Sequence, residues 1–158
     1  MTVEQRIKPA PIRKTMRVKA SRERAFEVFT AKMGSWWFKE HSVGSRVNNS
    51  PQADVVIEPR AGGRWYEVCE NGATYEWGRV LAWEPPARLA LAWQLTGQFE
   101  YDSAFETTVE VSFSEDGDYT EVVFEHRDLE RFGEAAELLS GMDNGWGAIL
   151  DGYERQFA

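Results

Sequence analysis

Cysteine, histidine and positive charge are all scarce in this chain, and each scarcity excludes something. The one cysteine, Cys69, cannot close an internal disulfide and has no second thiol for a metal site. Such usage suits a reducing compartment, so a cytoplasmic protein is expected. The two histidines, His41 and His126, are far apart and lack HxxxH spacing, which makes a poor zinc set even with Cys69 added. No metal and no cofactor is expected. Lys and Arg number 18 against 26 Asp and Glu, a net charge of −8 with no basic run. That surface repels phosphate backbones, so nucleic acid is not an expected partner. No segment approaches the run of about eighteen apolar residues that a membrane span needs. The opening residues, MTVEQRIKPAPIRK, lack the apolar core of a signal peptide.

Catalytic signatures are also missing. Gly62-Gly63 opens no GxGxxG or GKS pattern, and a strand turn needing positive φ accounts for the pair. No serine sits in a GxSxG elbow, and nothing ties Cys69, His41 or His126 into a nucleophile–base pair. Most carboxylates of so acidic a chain are simply solvated.

What the chain does have is aromatic bulk. Seven Trp, nine Phe and five Tyr make up 13% of 158 residues, a length that suits one domain. Rings in that number imply either a bulky core or a cavity lined with them.

Periodicity orders the chain. Residues 1–11 carry Pro9 and Pro11 and read as a flexible arm. From Ile12, the row Ile12, Met16, Val18 and Ala20 describes a half-buried strand, with Lys14 the exception. Ser21 stands where a helix cap should, with Glu23 in the first turn, and Ala25, Phe26, Val28, Phe29 and Met33 follow at helical spacing. Lys39 to Ala53 is polar and irregular, either a lid over a site or a plain connection. Six β-patterns come next. Asn71-Gly72 signals a two-residue hairpin between 64–70 and 73–84, and Asp116-Gly117-Asp118 signals a second hairpin. After Asp128 the pattern is helical but broken at Gly133, Gly141 and Gly145. Trp146, Ile149, Leu150, Tyr153 and Phe157 then form a stripe wide enough to pack on a sheet. Gly145 and Gly147 would let that helix approach the sheet closely. The order is strand, helix, about six strands, helix: an α+β domain whose sheet curls around the last helix.

Five strings resemble a known family. They are WW after the first helix, GGRWYEV, GRVLAWEPPARLALAW, TEVVFEH and NGWGAILDGYERQF, in order from about Ile12 to Phe157. Together they are similar to the activator of heat-shock-protein-90 ATPase homologue family, within the START-like (SRPBCC, birch-pollen-allergen-like) superfamily. The resemblance implies a helix-grip fold, in which a curved antiparallel sheet of six to seven strands wraps a long C-terminal helix over a cavity. It implies one domain over 1–158 and a small apolar ligand, since members with known roles mostly bind lipids, sterols or polyketides. The eukaryotic co-chaperones that name the family carry an extra domain for which this chain is too short. A chaperone contact therefore has no support of its own, and oligomeric state is open.

Candidate site residues follow from both lines. Trp36 and Trp37 precede the irregular stretch, Trp65 and Trp93 lie on strands, and Trp146, Leu150 and Tyr153 lie on the final helix. They are either plain core or pocket lining. In the family the positions of Trp65 and Gly78 look inward, and a two-residue turn at Asn71-Gly72 then pairs Glu67 with Glu76. Alternation turns Glu67, Cys69, Glu76 and Val80 inward. A β-bulge turning both glutamates to solvent is the alternative. Thr120, Val122, Phe124 and His126 share one face, as in the family's T-x-L-x-L-x-H string. The leading reading is a binding module for an apolar molecule with a polar head. An enzyme using Glu67, Glu76 or His126 as acid or base is one alternative, and a protein-interaction domain acting on a chaperone is another.

Overall fold

The computed structural model describes residues 9–37, 43–44, 50–133 and 136–158. The expected arm therefore falls mostly outside the described residues, as does most of the irregular stretch from Lys39.

Strand β1 (Ile12–Val18) buries Ile12, Met16 and Val18, while Lys14 leaves the row to pair with Asp143 on the last helix at 2.7 Å. Ser21 caps helix α1 (Arg22–Thr30), its hydroxyl accepting the Arg24 N–H at 3.1 Å. A short helix α2 (Met33–Trp36) follows and presses on strand β2 (Gln52–Ile57). A Cβ on Gly34 would stand 2.7 Å from the Val55 nitrogen, so only glycine permits that approach. Strands β3 (Arg64–Cys69), β4 (Thr74–Glu84), β5 (Arg88–Trp93), β6 (Thr107–Asp116) and β7 (Tyr119–Arg127) complete the sheet. Its order is β1-β7-β6-β5-β4-β3-β2, with every neighbour antiparallel. This is the seven-stranded curved sheet of the helix-grip fold.

The β3–β4 hairpin differs from expectation in two places. The Gly72 N–H donates to the Cys69 carbonyl and the Cys69 N–H to that of Ala73, closing a loop over Glu70, Asn71 and Gly72 rather than a two-residue turn. Gly72 takes the left-handed position at φ 87°. The pairing therefore starts one residue early, with Glu67 opposite Tyr75 and Tyr66 opposite Glu76. A bulge around Trp77 then restores the expected Trp65↔Gly78 pair. Between the two irregularities every side chain of β4 has exchanged faces. Glu76 turns out and Trp77 turns in, fully buried.

The C-terminal helix α3 (Ala136–Arg155) runs unbroken through Gly141 and Gly145. Of these three glycines Gly133 alone, at φ 83°, lies outside a helix, ending a 3₁₀ turn over Leu129–Phe132. A helix-interior glycine costs about 1 kcal/mol, and burial of Trp146, Ile149, Leu150 and Tyr153 outweighs it. The close approach expected of Gly147 belongs instead to Gly152. A Cβ there would lie 2.5 Å from the Trp36 carbonyl oxygen, whereas one on Gly147 would meet nothing within 4 Å. No described helix is long and apolar enough to cross a membrane.

Candidate functional site

A cavity of about 320 Å³ opens between α3, Trp37 and the hairpin that joins β5 to β6. Four rings wall it: Trp37, Trp93, Phe99 and Trp146. Trp37 meets Trp146 edge-on at 5.6 Å between centroids, and Trp93 meets Trp146 at 5.4 Å. Helix α3 adds Leu138, Met142 and Ile149, with Gly141 and Gly145 between them. These positions, with Trp146, fall at i, i+3, i+4, i+7, i+8 and i+11, one continuous helical row. The row begins eight residues before the stripe that starts at Trp146, and Gly141 and Gly145, which look like breaks in the sequence, are the gaps that make the hollow.

No titratable side chain borders this cavity among the described residues. His126 lies behind its wall, fully buried. Its Nδ1 accepts the Trp146 indole N–H at 3.1 Å, and since that group only donates, the histidine proton sits on Nε2. Nε2–H donates to the Thr107 hydroxyl at 2.8 Å, which in turn donates to the Trp93 carbonyl at 3.3 Å. Burial pushes the His126 pKa down to about 3, and Asp128 nearby offsets only part of that. The imidazole is a neutral strut between two ring-bearing walls.

Glu67 is inward and fully buried, as expected, yet both its oxygens are occupied. Oε1 accepts the Val43 N–H at 2.5 Å and the Trp77 indole N–H at 2.8 Å, while Oε2 accepts the Gly44 N–H at 3.1 Å. Cys69 Sγ stands 3.5 Å from Oε2, and burial, then the Glu67 charge, raises that thiol to about 11. The thiol is protonated and inert at neutral pH. Glu76 corrects the expectation. On the outer face it accepts from the Arg64 guanidinium, so the two glutamates do not face each other and form no carboxylate pair. The bulge alternative was half realised, turning one glutamate out and leaving the other in.

The remaining aromatic residues belong to the packing behind the cavity. Trp36 donates its indole N–H to the Val28 carbonyl at 2.8 Å, and the Tyr153 hydroxyl donates to the Ala25 carbonyl at 2.8 Å. With Phe29 these rings bind α1, α2 and α3 together at centroid distances of 5.1–5.3 Å. Leu150 is buried in the same layer. Trp65 packs edge-on against Trp77 and Trp93 at 5.5 and 5.6 Å, and its buried indole N–H has no partner among the described residues. Pattern reasoning missed Trp77, Phe99, Leu138, Met142 and Ile149 as site or wall-backing residues. A second hollow, about 410 Å³ between α1, Ile57 and Trp83, shares no residue with the first.

The family model described as Activator of Hsp90 ATPase homolog 1-like protein matches residues 19–157. No curated protein matches the chain. Among solved structures, an anthrahydroquino-γ-pyrone synthase determined as a complex is 32% identical. Its TM-score is 0.65, and the match covers 94% of this chain and 97% of that one. The self-sacrificing resistance protein CalC from Micromonospora echinospora is 29% identical, with TM-score 0.66 and 93% of each chain covered. The Aha1 dimer from Colwellia psychrerythraea, at 15% identity, TM-score 0.65 and coverage of 94% and 96%, shares the fold.

Proposed function

The chain belongs to the Activator of Hsp90 ATPase homolog 1-like family, and on that premise we propose that it binds one small, apolar, planar aromatic molecule in the cavity beside α3. The observation that carries this reading is the wall itself. Trp37, Trp93, Phe99 and Trp146 surround about 320 Å³ with no charged side chain among the described lining residues. Ring edges and faces at these angles favour an aromatic guest, and the volume sits at the small end of ligand pockets. Of the residues singled out from sequence, Trp37, Trp93 and Trp146 touch the ligand. Trp36, Trp65, Leu150 and Tyr153 back them, and Glu67 and His126 hold neighbouring segments in place.

A second reading has one observation in its favour, the 32% identity to a synthase. Here the same walls would fold a flexible substrate so that its reacting ends meet, and orientation rather than an acid or base would do the catalysis.

Native mass spectrometry of the protein purified from its own host is the test. A bound small molecule is expected, and N-phenyl-1-naphthylamine should quench tryptophan fluorescence at micromolar concentration. A ligand-free mass together with unmoved fluorescence would overturn the reading. Recovery of the ligand unchanged after incubation supports binding, whereas a converted product selects the synthase.

A further inference from the structure

Phe99 is a bulky residue in the left-handed conformation that glycine adopts most freely. Its φ is 61°, and among the described non-glycine residues only Asp128 shares a positive φ. The loop that forces it is well defined. Thr96 N–H donates to the Glu100 carbonyl at 2.8 Å and Phe99 N–H to the Thr96 carbonyl at 2.8 Å. The Thr96 hydroxyl oxygen also accepts from the amides of Gln98 and Glu100, at 3.3 and 3.4 Å. Below it, the Leu95↔Tyr101 bridge closes the base.

The same chain contains this loop a second time. Between β3 and β4, Cys69 N–H bonds the Ala73 carbonyl and Gly72 N–H that of Cys69, the identical pair of hydrogen bonds. There the left-handed position holds Gly72, the residue that such a three-residue hairpin demands. In the β5–β6 loop that position holds Phe99. Glycine is not absent from this second loop: Gly97 stands two residues earlier, where a Cβ would come within 3.1 Å of Leu138 on α3. The glycine of this loop therefore lies beside Leu138, and the left-handed position falls to Phe99.

The strain coincides with the cavity. The Phe99 ring is half-buried, lines the hollow and lies 6.2 Å from the Trp93 ring. Backbone strain persists only where the surrounding structure over-determines it, and it clusters at ligand-binding and active sites. We propose that Phe99 is a ligand-contacting, specificity-determining residue, its ring forming the outer wall of the cavity, an inference that rests on the binding reading above.

The test separates strain from contact. Phe99→Gly relieves the left-handed backbone, so its melting temperature should equal or exceed that of the wild type. Phe99→Ala keeps the strain and should melt about 2–4 °C below Phe99→Gly. Both should bind N-phenyl-1-naphthylamine about tenfold more weakly, the cost of losing half of one aromatic contact. Wild-type affinity in folded Phe99→Gly would overturn the proposal while leaving the binding reading intact. Joint loss of melting temperature and binding would make Phe99 a packing residue, and would overturn it too. Should the wild type itself bind no probe, the binding reading falls and this inference with it.

Discussion

Nδ1 of His126 lies 3.1 Å from Nε1 of Trp146, and this bond exists only while the histidine is neutral. A protonated imidazole would set N–H against N–H and push the tryptophan out of its place in the cavity wall. The fold guards against this by burying the ring completely. His126 therefore joins the stability of the domain to the shape of its cavity.

That join has a pH signature. The folded chain keeps His126 neutral down to about pH 3, while the unfolded chain takes up a proton near 6.5. Between those values the unfolded state binds more protons, so stability rises with pH across the window and levels above it. From pH 7 to pH 5 the histidine should cost about 2 kcal/mol of stability. Urea denaturation of wild type and His126→Gln at both pH values isolates it. The variant should be less stable at pH 7 and show a pH dependence smaller by about that amount, and equal dependence in the two proteins would refute the assignment.

Glu67 makes a different prediction because its partners are all donors. Glu67→Gln keeps the shape but turns an amide NH2 toward an N–H of Val43, Gly44 or Trp77. One buried donor is then left facing another, at a cost of about 2–3 kcal/mol. Hydrogen exchange at the Val43 and Gly44 amides should quicken in the same variant. Glu76→Gln, on the outer face, should leave the melting temperature essentially unmoved. Equal effects from the two substitutions would mean that the inward and outward assignments are wrong.

The contrast between the two glutamates shows how far sequence reaches. Strand positions, the Ser21 cap and the inward face Thr120, Val122, Phe124, His126 were legible because periodicity reports burial directly. Register was not. The loop over Glu70–Gly72 and the bulge at Trp77 each shift pairing by one residue in opposite senses, so Trp65↔Gly78 was right while Glu67↔Glu76 was wrong. Nothing in the local pattern distinguishes two cancelling irregularities from none. The seven-residue set of rings and Leu150 was legible as a group, yet its division into wall and backing depends on which rings meet α3. Phe99 was invisible for another reason: a phenylalanine in a glycine position carries no turn signal.

Two glycines of α3 should respond oppositely to the same change. Gly152→Ala would place a methyl 2.5 Å from the Trp36 carbonyl, within reach of backbone that cannot yield cheaply. About 1–3 kcal/mol should be lost. Gly147→Ala meets nothing within 4 Å, so it should gain about 1 kcal/mol from helix propensity alone. Thermal melts of the two single variants are sufficient, and a stabilised Gly152→Ala would mean that α3 does not rest on Trp36 as described.

Gly141 puts the cavity itself to the test, without removing any ring. It lines the hollow between Leu138 and Met142, and a Cβ built on it meets nothing within 4 Å. Gly141→Leu should therefore be accepted by the helix and project its side chain into space that a ligand would use. Leucine is a far better helix former, so the variant should be more stable by about 0.5–1 kcal/mol. It should also lose affinity for N-phenyl-1-naphthylamine, because the guest and the new side chain compete for one volume of about 320 Å³. Most pocket substitutions confound binding with folding, since truncating a buried ring costs both. Here the two readouts move in opposite directions, so a more stable protein that no longer quenches with the probe separates loss of binding from loss of folding. Undiminished binding in a folded Gly141→Leu would place the ligand elsewhere, and the hollow between α1, Ile57 and Trp83 would be the next to examine.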